Sequence, residues 1–217
     1  MNGRHPLLIL LAVALVIASC QQNNTPTAAP DRVLTPSVHI GEWMARLEPL
    51  NQSGVSARAR VISTGEGGTF TVAIQALGLE SNLVHAQHIH GFTDGSNGVC
   101  PTPEADVNGD GVIDVIEGLP DYGPILLSLD GDLTDGAEVD DLTTFPNPDN
   151  RRGQVRYEAS ASYEPVNAAL DLSIPLENRH IVLHGVSGPV PSTAQGIGPF
   201  TAAQALPVAC GVLERVS

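Results

Sequence analysis

The chain has 217 residues, 24 acidic against 10 basic side chains, a formal net charge of −14 and no lysine. That balance excludes a nucleic-acid surface and electrostatic adhesion to anionic lipid, both of which need clustered positive charge. An aromatic content of 4%, with 22 glycines and 17 prolines, points to short strands joined by turns.

Arg4 and His5 precede an apolar run from Leu7 to Ile17, followed by the small residues Ala18 and Ser19. This is the layout of an export signal, and the run is shorter than the roughly 20 apolar residues of a permanent membrane span. Ile17-Ala18-Ser19-Cys20 resembles the bacterial lipobox, which implies that Cys20 is acylated and anchors the chain to a membrane. Gln21 stands where that resemblance would put an inner-membrane retention aspartate. The expected location is therefore extracytoplasmic, lipid-anchored to a bacterial cell membrane, the outer membrane in a Gram-negative cell. Residues 1–20 read as signal and lipobox, and 21–36 as a polar flexible tether. Residues 37–217 read as one domain. With Cys20 lipidated, Cys100 and Cys210 remain as an even pair, expected to be bridged in an oxidising compartment.

Within the domain, Trp43–Leu47 reads as a strand turned at Asn51-Gln52-Ser53-Gly54. Val55, Ala57, Ala59 and Val61 alternate with Ser56, Arg58 and Arg60, and Phe70, Val72 and Ile74 alternate beyond the turn Gly65–Gly68. This is the pattern of a half-buried hairpin. Further strands are expected over Val84–His90, Ile125–Leu129, Gln154–Ser162, Ala169–Ser173, Arg179–His184 and Val208–Glu214. No segment beyond the signal has a clear helical period, so an all-β sandwich or barrel is expected.

Three of the seven histidines fall in His85-Ala86-Gln87-His88-Ile89-His90. In a strand, His88 and His90 point the same way and can converge on one metal. Imidazole suits copper and zinc alike. In Arg179-His180-Ile181-Val182-Leu183-His184, the residues His180, Val182 and His184 share a face. His184 completes a three-histidine set if the two strands are neighbours. His180 is expected to serve packing or solvation.

Asp106-Val107-Asn108-Gly109-Asp110-Gly111-Val112-Ile113-Asp114-Val115-Ile116-Glu117 resembles the EF-hand calcium loop throughout. The resemblance implies calcium ligands at Asp106, Asn108, Asp110, Asp114 and Glu117, with the Val112 carbonyl. Pro101, Pro103, Gly118 and Pro120 flank the loop, so an isolated loop is expected, with one short helical turn near Val115. A second cluster, Asp130, Asp132, Asp135, Glu138, Asp140 and Asp141, lacks this spacing and reads as a solvated loop.

Together, His85–Gly91, Cys100, Arg179–His184 and Ala209-Cys210-Gly211-Val212-Leu213 resemble, in order, the motifs of the copper/zinc superoxide dismutase family. The hairpins before them resemble the related chordin-type (CHRD) domain. The resemblance covers about Trp43 to Val216 and implies an eight-stranded Greek-key β-barrel or sandwich with long loops, of which residues 100–120 are the calcium-loop insertion. It implies copper on His88, His90 and His184, structural roles for His85 and Arg179, and pairing of Cys100 with Cys210.

Three departures from that family are visible. Cys100 to Leu129 contains no bridging or zinc histidine, and Gly131-Asp132-Leu133 offers a single zinc carboxylate, so no zinc site is expected. Pro207 stands where the family has an arginine. Glu104 to Asp141 holds twelve acids and no basic residue, a field that opposes anion capture. The expected function is a membrane-anchored, superoxide dismutase-like metalloprotein, with superoxide or copper ion as its small ligand. The alternative is a non-catalytic copper-binding or calcium-stabilised scaffold lipoprotein. No protein partner is legible.

Overall fold

The computed structural model describes residues 40–138 and 142–217. The export signal, Cys20, the tether, Asp140 and Asp141 lie outside the described residues. Strands β1 (Ile40–Pro49), β2 (Ser56–Thr64) and β3 (Thr69–Leu77) form two successive antiparallel hairpins. Alternation sets their faces. Ala57, Ala59, Val61, Phe70, Val72 and Ile74 are buried, while Arg58 and Arg60 are exposed. The turn after β1 holds Asn51 and Gln52 at φ +53° and +56°, a left-handed conformation that asparagine tolerates well.

The remaining strands are β4 (Gln87–His90), β5 (Ile125–Ser128), β6 (Val155–Ser162), β7 (His180–His184), β8 (Pro207–Val212) and the short β9 (Glu214–Arg215). Their order is β5-β4-β7-β8-β1-β2-β3-β6, with β9 also on β1, and every pairing is antiparallel. The result is an eight-stranded antiparallel sheet curled into a half-barrel, with β5 and β6 as its edges. Strand β1 serves both halves, because Ile40–Leu47 pair with β2 while Glu48 and Pro49 pair with β8.

The concave side encloses one main apolar core that includes Trp43, Phe70, Ile89, Leu127 and Ile181. Each such side chain contributes about 1.5–3 kcal/mol by leaving water. The Arg215 guanidinium lies 5.4 Å from the centre of the Trp43 ring, a cation–π contact at the foot of the core.

Several sequence expectations are corrected. Residues 169–173 are not a strand: helix α2 (Tyr163–Leu170) ends there, with Asp171 left-handed at φ +45°. Tyr163, Val166 and Leu170 fall on one helical face and are buried, so the helical period outweighs the apparent alternation of Leu170 and Leu172. Instead of a single turn, α1 (Val115–Tyr122) runs eight residues through Gly118 and Pro120. The Asp114 carboxylate accepts from the amides of Ile116 and Glu117, and Glu117 reaches back to the Asp114 amide at 3.0 Å. This reciprocal cap stabilises the first turn, and the helix ends two residues after the proline. A third short helix, α3 (Ala202–Ala205), begins at Thr201. Val84–Ala86 precede β4 rather than extending it, and the expected last strand divides into β8 and β9 at the buried Leu213.

Cys100 and Cys210 form a disulfide, with Cα atoms 5.7 Å apart. The bridge points to an oxidising, extracytoplasmic compartment. Among the described residues no helix is long and apolar enough to cross a membrane.

Candidate metal centre

Strands β4 and β7 lie side by side with His88 opposite Val182 and His90 opposite His180. Ile89, Ile181 and Leu183 enter the core, so the histidines occupy the outer face of the sheet. A register shift between Leu183 and His184 ends the regular pairing with β8, while the His184 amide still donates to the Ala86 carbonyl at 2.8 Å. His88, His90 and His184 converge there, with one ring nitrogen from each within 4.8 Å of the others. Ring centres are separated by 5.6 Å (His88 to His90), 5.3 Å (His88 to His184) and 5.7 Å (His90 to His184).

This outer face is not solvated. All three histidines are at most 3% exposed. Helix α1 covers them with Val115 and Leu119, and the segment before β8 covers them with Ile197, Phe200 and Gln204. The remaining cavity is about 30 Å³, room for an ion with about one small companion. Phe145 packs edge-on against His88 at 5.4 Å, and Tyr122 against His90 at 4.7 Å. The Tyr122 hydroxyl donates to the Val115 carbonyl at 3.2 Å.

Two rings are oriented by the backbone. The Nδ1 of His90 lies 2.9 Å from the Gly123 carbonyl, and the Nδ1 of His184 lies 2.8 Å from the Ala205 carbonyl. A carbonyl only accepts, so each Nδ1 carries the proton and each Nε2 presents a lone pair. Gly123, at φ +81°, is required at this turn because a Cβ there would meet the Gly91 backbone at 2.6 Å.

Both Nε2 atoms, and both ring nitrogens of His88, are buried without hydrogen-bond partners. Unpaired buried polar atoms cost free energy unless a ligand satisfies them. Burial, followed by the neighbouring His184 and His90, holds His88 well below the usual imidazole range. Burial lowers His90 to about 3 and His184 to about 4. At neutral pH the three rings are uncharged, the form that coordinates metals. The site could hold a metal ion.

The other expected residues lie around this centre. The ring of His85 spans two backbone carbonyls, with Nδ1 3.0 Å from that of His184 and Nε2 3.0 Å from that of Glu80. Arg179 is fully buried and donates to the carbonyls of Phe92 and Leu170, tying the loop after β4 to the end of α2. His180 is also fully buried, packed against Gly98, where a Cβ would come within 2.8 Å of its ring. Burial lowers it to about 4, and it stands outside the three-nitrogen cluster.

In the acidic loop, Asp106 accepts from the amides of Gly109, Asp110 and Gly111 at 2.8–3.1 Å. The Asn108 side chain accepts from the Asp110 amide, and Asp110 accepts from the Val112 amide and the Thr193 hydroxyl. Asp114 accepts from the Gln195 amide at 2.7 Å in addition to capping α1, and Glu117 accepts from the Asn108 amide. Gly109 and Gly111 have φ of +72° and +92°. The loop carboxylates do not converge as the histidines do. Among the described residues, only His88, His90 and His184 bring three His, Cys, Asp or Glu ligand atoms within 4.8 Å. Asp132 is exposed and accepts from Thr134.

Sequence reasoning missed Tyr122, Phe145 and the carbonyls of Gly123 and Ala205. Tyr122 ends α1, whose helical period is obscured by Gly118 and Pro120, and Phe145 and the two carbonyls belong to no side-chain pattern that would signal their placement. A scan against protein-family models finds no match, and no curated protein matches the chain.

Proposed function

We propose that this chain is a copper-binding protein of the bacterial cell envelope, built on a superoxide dismutase-like barrel. The observation that carries this reading is the set of three buried imidazoles with unsatisfied nitrogens, two of them oriented by backbone carbonyls. His88, His90 and His184 would hold the ion. Copper bound there supplies one-electron redox capacity or is kept for delivery. The protein's own residues orient the rings, keep them uncharged and exclude water.

Holding copper is favoured over turning over superoxide. An anionic substrate would have to reach a centre walled by Val115, Leu119, Ile197 and Phe200, under a loop dense in carboxylates. Pro207, where the family carries an arginine, supplies no guiding charge. The Asp106–Glu117 loop is read as a calcium site that braces α1. Its support is the match of all six expected ligand positions and the acceptance of the Gly111 amide by Asp106. Acylation at Cys20 would hold the domain at the membrane.

Metal analysis of the protein purified from its native envelope tests the reading, alongside the His88→Ala/His184→Ala variant. About one equivalent of copper, lost in the variant, is expected. Copper content unchanged in the variant overturns it. A superoxide consumption rate above that of free copper ions would restore the dismutase reading.

A further inference from the structure

Two features of the histidine cavity bear on the charge of the ion it takes. Among the described residues no carboxylate or thiolate joins the ligand cluster. The outer nitrogens of His90 and His184 donate to the neutral carbonyls of Gly123 and Ala205, where metal-binding histidines often donate to carboxylates. The walls are also apolar. Among the described residues, Gln204 is the sole polar side chain lining the cavity apart from the histidines.

Moving an ion from water into such surroundings costs free energy that scales with the square of its charge. A divalent ion therefore incurs about four times the cost of a monovalent one. Imidazole donors alone do not discriminate between copper and zinc. Here the surroundings must do so. Zinc sites with three protein ligands add a fourth, usually water, and Cu(II) favours a tetragonal set of nitrogen and oxygen donors. A cavity of about 30 Å³ with one amide in its wall gives little support to either.

Resting on the copper-centre reading, we propose that the cavity selects a monovalent soft cation, Cu(I) with Ag(I) as its redox-inert analogue, over Cu(II) and Zn(II). The protein then handles reduced copper. Neutral imidazoles in a dry pocket retain the singly charged ion, and the missing counter-charge disfavours its oxidised form.

The test is competition titration of the mature protein with Cu(I) under anaerobic conditions, and with Ag(I), Cu(II) and Zn(II) separately. Cu(I) and Ag(I) should bind at one equivalent, at least about a hundredfold tighter than Zn(II). Zn(II) or Cu(II) binding as tightly as Cu(I) overturns the charge selection and leaves a metal centre standing. No binding of any of the four ions, or binding unchanged in His88→Ala/His184→Ala, overturns the metal centre itself.

The variant Gln204→Glu gives a second reading in a folded protein. Thr201 and Gln204 form the cap of α3, and glutamate serves that cap as well as glutamine does. The added carboxylate at the cavity wall should move the preference about tenfold or more toward the divalent ions. An unchanged Zn(II) to Cu(I) ratio in this variant overturns the proposal.

Discussion

Asn51 and Ile113 are 62 residues apart in sequence and exchange two hydrogen bonds. The Ile113 amide donates to Oδ1 of Asn51 at 2.7 Å, and Nδ2 of Asn51 donates to the Ile113 carbonyl at 2.9 Å. The same nitrogen donates to the Pro207 carbonyl at 2.9 Å. One carboxamide in the β1–β2 turn thus pairs with the acidic loop as a strand's peptide group would, and fastens both to the start of β8.

The variant Asn51→Gly retains the left-handed backbone and removes the clamp. Three partly buried hydrogen bonds at about 1 kcal/mol each predict a loss of about 2–3 kcal/mol. The check is the urea midpoint of the variant against the parent protein. A change under about 0.5 kcal/mol, the usual range for an unremarkable surface substitution, would show that water replaces the clamp at no cost.

Stability of the metal-free protein should depend on pH through its buried histidines. His88, His90, His180 and His184 all sit below the usual imidazole value when folded. Between about 6.5 and the folded values, about 3 for His90 and about 4 for His180 and His184, the unfolded chain therefore binds more protons than the folded one, and His88 shifts in the same direction. Stability should be fully present above about pH 7 and fall as pH drops through 6.5. Each such histidine contributes a slope of about 1.4 kcal/mol per pH unit within the window. Denaturant titrations at pH 7.5, 6 and 5 in chelator would read it. A flat profile is inconsistent with neutral buried rings.

Calcium should raise the melting temperature if the acidic loop binds it. At a hundred times the dissociation constant, the gain is about 2.7 kcal/mol. The variant Glu117→Gln separates ligand from cap, since glutamine can still reach the Asp114 amide. It should lose most of the calcium-dependent gain and keep most of its stability in chelator. An identical calcium response in the variant and the parent protein would rule out Glu117 as a ligand.

Removing the Cys100–Cys210 bridge frees a loop spanning 110 positions. Chain entropy predicts a loss of about 4–5 kcal/mol for Cys100→Ala/Cys210→Ala. Differential scanning calorimetry would measure it, and a loss below about 1 kcal/mol would mean that the open chain stays compact there.

How far the fold could be read from the sequence depended on what each face of a strand meets. Arg58 and Arg60 look into water, so β2 shows the alternation that identifies it. In β4 all four residues are buried, because α1 and the segment before β8 cover its outer side, and exposure no longer marks its limits. The histidines remained legible because spacing alone places His88 and His90 on one face. Their cover was not. Tyr122 ends a helix that contains a proline, Phe145 lies in a loop, and Ala205 contributes a carbonyl rather than a side chain. Helix α2 was hidden by a short apolar stretch in which helix and strand periods are hard to tell apart.

The anchoring of His90 on Gly123 and of His184 on Ala205 has a kinetic side. Gly123 caps α1, and Ala205 closes α3 just before β8. The two segments that roof the cavity are therefore also the segments that aim its rings. An ion seated there would escape only when the roof opens, and the same opening would release the imidazoles from their orientation. Its residence time would then be set by local unfolding of these two segments, and hydrogen exchange at residues 115–123 and 197–206 would report the same rate as metal release.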